Sequence, residues 1–374
     1  MKISKTDALI WFDTFTQLEE EEGLENKHAE IIYATFSQIE AVIDKRNEEL
    51  MGEIKGIKSL ENRTFYVGPD EKFPGGCRSC LLGNGLSAIR KTNKCNVKCK
   101  FCYNYGHLDN IPPIGEGMWD IGGTKFYEKD IDLLLSINKK PTGVAYVYLE
   151  PFMEIEKYYT VVKKFSDAGI YQHMYTNGTL ATEETLKALG EAGLNEIRFN
   201  LGATKCADNV IENIRIAKKY ISRVGIETPM TPEFFETFFE KKDLILSTGL
   251  DFINCAELHL NENNIGNYEG ENMYIARQGY ISPIWSRELT LKLMKIADDE
   301  NWDIVIHDCS NHTKFARELN LKAKEGMWFG ASSYSCEFQT LPYEAFIPIL
   351  NDDSFNFLSE EELPEEYKPD MFIF

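Results

Sequence analysis

The sequence predicts an α/β protein built on a β/α barrel, open or closed, with an N-terminal helical extension and a C-terminal tail. Three observations carry that prediction. Short apolar or β-branched runs alternate with helix-patterned stretches, which implies parallel βαβ units joined by right-handed crossovers. Roughly six or seven such units recur, enough for a barrel, in a chain of 374 residues that can bury a large core. A cysteine-rich stretch directly follows the first strand-like run, at the strand end where barrels carry their functional groups. Alternation alone is common to barrels and doubly wound sheets.

Taken in order, residues 1–65 read as a helical extension. In "AEIIYATFSQIEAVIDK" the apolar residues Ile32, Phe36, Ile39 and Ile43 recur at helical spacing. The acidic run "QLEEEEGLEN" reads as a solvated turn. Residues 66–85, with "FPGGCRSCLLGNG", read as a cysteine-bearing loop. The barrel is expected over 86–312, with strands at 86–92, 143–150, 170–177, 196–202, 223–229, 252–260 and 303–310. Between them lie helix-patterned stretches such as "IEKYYTVVKKFSDAG" and "TEETLKALGEAG", the latter with a Thr start and a Gly stop. Residues 313–374 form a C-terminal extension.

A formal net charge of −20 argues against general binding to nucleic acid or anionic membranes. No apolar run is long enough to span a bilayer, and "MKISKTDALIWFDTF" lacks a signal-peptide pattern. The expected location is therefore the cytoplasm, where nine cysteines are thiols or metal ligands rather than disulfides.

The stretch "TNKCNVKCKFCYNYG" spaces Cys95, Cys99 and Cys102 as CxxxCxxC. Three thiolates can hold three irons of a [4Fe–4S] cube and leave the fourth iron open to a ligand. Zinc is the rival occupant and would need a fourth ligand, for which His107 is available.

With that triplet in the loop after the first strand, and Phe101 just before its third cysteine, the chain resembles the radical S-adenosylmethionine (SAM) superfamily over roughly residues 85–310. Its pattern is most similar to pyruvate formate-lyase activating enzymes and their relatives, through "YLEPF", "MYTNGTLATEETLKALGEAGLNEIRFN" and "HDCSNHTKFAR". The resemblance implies a partial (β/α)6-type, TIM-like barrel. It implies that Cys95, Cys99 and Cys102 bind a [4Fe–4S] cluster whose open iron chelates SAM. SAM is then cleaved reductively to methionine and a 5′-deoxyadenosyl radical, which takes a hydrogen from a substrate.

The resemblance also assigns strand ends. Glu150 occupies the end of a GGE-type motif that meets the SAM ammonium. Tyr148 and Leu149 replace its two glycines, so the backbone is expected to approach SAM less closely and Glu150 to serve by its side chain. Asn177, Arg198, Asn200 and Glu227 are the further SAM-contacting candidates. Glu257 and His259 share one face of a strand, and with His307 and Cys309 they form the candidate substrate-handling set. Cys77 and Cys80, with Cys309 and Cys336, are a candidate second metal site for zinc or an auxiliary cluster.

The functional expectation is an enzyme acting on an unidentified peptide or small-molecule substrate. A glycyl-radical-enzyme activase is the enzymatic alternative, and a zinc-stabilised binding module the non-enzymatic one. Arg90, Lys91, Lys94, Lys98 and Lys100 crowd around the triplet. A small acidic electron carrier, flavodoxin or ferredoxin, is expected to dock near Lys98 and Lys100, because complementary patches steer encounter.

Overall fold

The computed structural model describes residues 43–82, 86–121, 124–136, 141–261, 263–275, 281–314 and 356–357. The expected helical repeat at Ile32, Phe36 and Ile39, most of the C-terminal extension and Cys336 lie outside these residues. Residues 43–52 are helical, and a short hairpin follows, β1 (Lys58–Ser59) and β2 (Phe65–Val67). Next come α1 (Gly75–Leu82) and β3 (Leu86–Arg90). The hairpin β4 (Met118–Ile121) and β5 (Thr124–Tyr127) and the short α2 (Ile131–Leu135) lead to β6 (Gly143–Tyr146).

From β6 onward the alternation is regular. Helix α3 (Tyr159–Asp167) leads to β7 (Tyr171–Thr176), α4 (Glu183–Ala192) to β8 (Glu196–Phe199), and α5 (Asp208–Ala217) to β9 (Arg223–Pro229). Helices α6 (Pro232–Glu240) and α7 (Lys242–Leu246) precede β10 (Phe252–Ala256). After it, β11 (Asn272–Ile275) and β12 (Ile281–Pro283) form a small sheet with β14 (Asn356–Phe357). Helix α8 (Ile284–Asp299) then leads to β13 (Val305–Cys309). Helix α4 carries the start and stop its sequence predicts. Thr182 caps its first turn by accepting from Thr185 N, and Gly193 ends it at φ 97°.

Strands β3, β6, β7, β8, β9, β10 and β13 pair in parallel and in chain order. Six β/α crossovers therefore join seven strands of one mostly parallel sheet, the partial barrel expected. Antiparallel β4 extends it at β3, and antiparallel β2 extends it at β13.

Alternate residues separate its two faces. Val144, Tyr146, Met174, Ile197, Phe199, Val224, Ile226 and Ile253 form one apolar core with the helices, including Val162 and Phe165 of α3 and Ile211 and Ile214 of α5. The opposite face carries Ala88, Ala145, His173, Glu196, Arg198, Phe252 and Val305. Residues 73–82 lie against that face: Cys77 and Phe73 pack with Phe252 and Val305, and Cys80 packs with Ala88 and Ala145.

The stretch expected as a cysteine-bearing loop is thus largely helix α1, seated on the inner face of the sheet. Its first turn is held by Glu196, whose Oε2 accepts from Gly75 N at 2.8 Å and Gly76 N at 3.3 Å. A carboxylate suits a helix N-terminus. A Cβ on Gly76 would stand 2.5 Å from His173 Nδ1 and 2.6 Å from an Arg198 nitrogen, so only glycine admits this approach.

Candidate active site

The cysteine loop leaves β3 at Arg90 and is tied down at once. Tyr158 Oη accepts from Lys91 N at 3.1 Å and from Thr92 N at 3.3 Å. Cys95, Cys99 and Cys102 are all half-buried. Burial pushes Cys99 up to about 12, and the neighbouring Cys102 and Cys95 add to the rise. Three thiols close enough to oppose one another's ionisation form a donor set that a cation would relieve. Their sulfurs are turned to local partners: Cys95 Sγ lies 3.5 Å from Val97 O, and Cys102 Sγ accepts from Asn104 N at 3.4 Å. Among the described residues no three His, Cys, Asp or Glu side chains stand together as a finished metal cage. His107, the fourth ligand a zinc site would need, is exposed. A cleft of about 880 Å³, lined by Cys95, Lys94, Ile111, Met153 and Lys157 among others, opens beside the loop.

The ends of β6 and β7 are bonded to one another and to this loop. Glu150 is fully buried. Its Oε1 accepts from Phe152 N at 3.0 Å and Thr176 Oγ1 at 2.8 Å, and its Oε2 from Asn177 N at 2.6 Å. Burial raises its pKa to about 7 even against those three donors. Asn177 Nδ2 donates to Asn96 Oδ1 at 2.9 Å, and Glu150 N donates to Lys94 O at 3.0 Å. Tyr148 and Leu149, in place of the two glycines, both adopt left-handed backbone with φ of 73° and 50°. The turn therefore keeps a glycine-like path at the cost of strain. Both Glu150 oxygens are engaged within the protein.

The other SAM-contact candidates divide. Arg198 is buried, with Nε donating to Glu196 Oε1 at 2.6 Å, Nη1 paired with Glu227, and Nη2 3.5 Å from Cys77 Sγ. Its charge is matched by two carboxylates beneath the mouth of the barrel. Asn200 closes a turn, accepting from Ala203 N at 3.0 Å.

The substrate-handling candidates form one group and one outlier. Glu257 accepts from Asn311 N at 2.6 Å, from Asn311 Nδ2 and Ser282 Oγ at 3.0 Å each, and from Tyr274 Oη. His259 Nε2 meets Asn311 Oδ1. Lys314 Nζ lies 3.2 Å from His259 Nε2 and donates to Glu257 O at 3.0 Å. Burial lowers the pKa of Lys314, which also faces Cys309. Burial pushes the Cys309 thiol up to about 12, with Lys314 opposing. The outlier, His307, is packed edge-on to Phe73, with Nε2 2.9 Å from Thr64 Oγ1 and Nδ1 against Asn254. Burial drives its pKa to about 3, so it is neutral. Sequence reasoning missed Lys314: it stands four residues past the last expected strand, and only the turn after β13 brings it back to His259.

The CxxC pair divides across α1. Cys77 faces Arg198 and Phe252, Cys80 faces Ala88 and Ala145, and both come within electrostatic reach of Cys309. Of the five basic residues, Arg90 pairs with Asp120 at 2.8 Å, Lys91 donates to Gly115 O and Met118 O, and Lys94 pairs with Glu154. Lys98 and Lys100 are exposed. Among the described residues no helix is long and apolar enough to cross a membrane.

Comparison with known proteins agrees with this layout. The sequence profile of the radical SAM superfamily matches residues 89–245. A putative glycyl-radical enzyme activating enzyme of Methanocaldococcus jannaschii is 28% identical over 263 residues, covering 67% of this chain and 66% of the relative. The tungsten-containing aldehyde ferredoxin oxidoreductase cofactor-modifying protein of Pyrococcus furiosus is 26% identical over 189 residues, covering 45% of this chain and 49% of that protein. The chain thus spans about half to two thirds of the length of these relatives. Among solved structures, methylornithine synthase matches with TM-score 0.41 and 12% identity, covering 85% of this chain and 96% of that one. Streptococcus suis SuiB bound to precursor peptide SuiA matches with TM-score 0.40 and 14% identity, covering 68% and 56%. Both structural likenesses are too distant to bear on the chemistry. Proteins of the matched superfamily are enzymes of radical chemistry that work with a [4Fe–4S] cluster and SAM, and the profile match over residues 89–245 together with the 28% identical relative supports membership of the radical SAM superfamily.

Proposed function

We propose that Cys95, Cys99 and Cys102 bind three irons of the [4Fe–4S] cluster, and that SAM lies between the cysteine loop and the ends of β6 and β7. One observation carries this reading. The triplet sits on the loop leaving the first parallel strand, and Asn177 and Glu150, at the ends of the next two strands, bond to that loop at Asn96 and Lys94. When bound, the cluster supplies the electron that cleaves SAM and so generates the radical that takes hydrogen from a substrate. Glu150 fixes the turn that carries the Asn177 amide. Helix α1 fills the inner face of the sheet below, so substrate meets the site at the mouth, where Lys314 stands beside His259 and within electrostatic reach of Cys309.

The substrate is a peptide or small molecule whose reactive carbon reaches that mouth. The 28% identity to a putative glycyl-radical enzyme activating enzyme favours a second reading, in which the hydrogen comes from a glycine of a partner protein. The radical SAM profile match argues against the zinc-stabilised binding module. Reduction is by a small acidic carrier docking at Lys98 and Lys100, exposed cations of the loop that carries the cysteines.

The test replaces all three cysteines by Ala and measures iron content and 5′-deoxyadenosine formed from SAM with dithionite. The expected result is loss of both, about one cubane of iron per chain. Retained 5′-deoxyadenosine formation in the variant overturns the assignment.

A further inference from the structure

The cysteine loop makes turns of its own and leaves some carbonyls over. Cys99 O accepts from Cys102 N, Cys102 O from Tyr105 N, and Asn104 O from His107 N, each at 3.0 Å. The intervening carbonyls of Lys100, Phe101 and Tyr103 have no place in that pattern. All three are met from outside by a single segment, the asparagine-rich stretch after β10. Asn267 Nδ2 donates to Lys100 O at 2.8 Å, and Asn264 Nδ2 to Phe101 O at 3.1 Å. Asn261 Nδ2 and Asn263 Nδ2 both donate to Tyr103 O, at 3.0 and 2.6 Å. Every carbonyl from Cys99 to Asn104 is thereby accounted for.

The side-chain chemistry is specific. A primary amide offers donors at one end and an acceptor at the other, without charge. Asn264 uses its acceptor to take Asn261 N at 2.8 Å, and Asn261 uses its own to take Asn263 N at 3.1 Å. The segment is therefore braced internally while its donors point at the cysteine loop. Charged donors would do the same work but would set cations beside the thiols. With the carbonyls held outward, the loop N–H groups remain for sulfur, as Asn104 N already shows toward Cys102 Sγ. Hydrogen bonds to the sulfurs are one of the levers that set a cluster's potential.

We propose that Asn261, Asn263, Asn264 and Asn267 are positioning residues that clamp the cysteine loop, presetting thiol spacing and the electron affinity of whatever the thiols hold. The clamp runs from the strand end that carries Glu257 and His259, so it joins the substrate-facing end of the barrel to the cluster-binding end. The part of the proposal that concerns potential rests on the cluster assignment above; the part that concerns the thiols does not.

The test uses Asn264→Ala and, as a milder change at a less buried position, Asn267→Leu, with Asn267→Gln as the variant that returns an amide donor. In protein freed of iron, alkylation of each cysteine by N-ethylmaleimide is followed by mass spectrometry, with buried Cys255 as the internal reference. Cys99 and Cys102 are expected to react about fivefold faster for each bond lost, the equivalent of an ordinary hydrogen bond, while Cys255 is unchanged and Asn267→Gln recovers part of the protection. After iron–sulfur reconstitution and without SAM, the midpoint potential of the Asn264→Ala and Asn267→Leu proteins is expected to shift from wild type. Unchanged thiol rates in both variants overturn the clamp. Faster thiols with an unmoved potential reduce it to a structural brace and overturn the positioning role. If the triplet takes up no iron at all, the cluster assignment fails, and the thiol rates alone still decide whether the segment clamps the loop.

Discussion

Glu150 gives the most direct link between the site geometry and a measurable quantity. Replacing it by Gln removes a titration while keeping the size of the side chain. In the folded protein, burial holds the carboxyl at about 7 against an ordinary 4.5. The folded state therefore binds this proton more tightly than the unfolded chain does. The contribution to stability is complete below about pH 4.5 and is lost as pH rises through about 7. A separation of about 2.5 pH units at 1.36 kcal/mol each corresponds to roughly 3 kcal/mol across that window. The Gln side chain must place an amide donor near Asn177 N or near Thr176 and Phe152, all of which donate to Glu150. That costs about 1–3 kcal/mol at every pH, the penalty of an unsatisfied buried group. The assay is the urea midpoint of the iron-free protein from pH 5 to 8.5. Wild type should lose stability toward pH 8 relative to the variant, whose curve starts lower and runs flatter. Two parallel curves would refute the buried-proton argument.

Three further outcomes follow from the same geometry. Gly76→Ala drives a methyl into His173 and Arg198 and should lower stability by about 1–3 kcal/mol in thermal melts, whereas Gly52→Ala, with nothing within 4 Å, should not. Leu149→Gly relieves a left-handed φ of 50° worth roughly 1–2 kcal/mol, so its urea midpoint should fall much less than a leucine deletion usually costs; a loss above about 3 kcal/mol would show that the turn is unstrained. Lys98→Glu with Lys100→Glu should slow SAM cleavage driven by flavodoxin and flatten its salt dependence, with the dithionite-driven rate unchanged. An equal loss with both reductants moves these lysines from a docking face into the cluster environment.

The strands and helices of the barrel were legible because their patterns are local. Thr182 and Gly193 bracket α4 where the sequence placed its start and stop, and β9 occupies the whole of its expected span. The strand ends were harder. Alternation tells which residues share a face, but not what the face meets. Arg198 and His307 were read as candidates for chemistry because they are polar and lie on barrel strands. What they meet is a segment more than a hundred residues away: Arg198 meets Cys77, and His307 meets Phe73 and Thr64. No local pattern reports such a contact. A signal was present in the pair Gly75 and Gly76 ahead of the CxxC, which lie against Tyr171, His173 and Arg198, and in the small residues Ala88 and Ala145 under Cys80. Small residues mark a place where another backbone approaches closely.

That filled inner face also bears on how the site divides its labour. A carboxylate or imidazole saturated by fixed partners holds a shape and is a poor candidate for exchanging protons with a substrate. By that criterion Glu196, Arg198 and His307 hold α1 in the barrel, and Glu257 holds Asn311 and Tyr274 at the strand end. What remains poised at the mouth is a smaller set. It comprises Lys314, with a pKa lowered by burial and Nζ beside the buried His259, and the Cys309 thiol, within electrostatic reach of the lysine and of Cys77 and Cys80 on the CxxC helix. The cysteine loop lies across from them, joined by the asparagines that follow β10. Substrate chemistry at this mouth would therefore be felt by the cysteine loop through a few hydrogen bonds. A change in Lys314 or His259 should alter the environment of the thiols even though neither residue touches them.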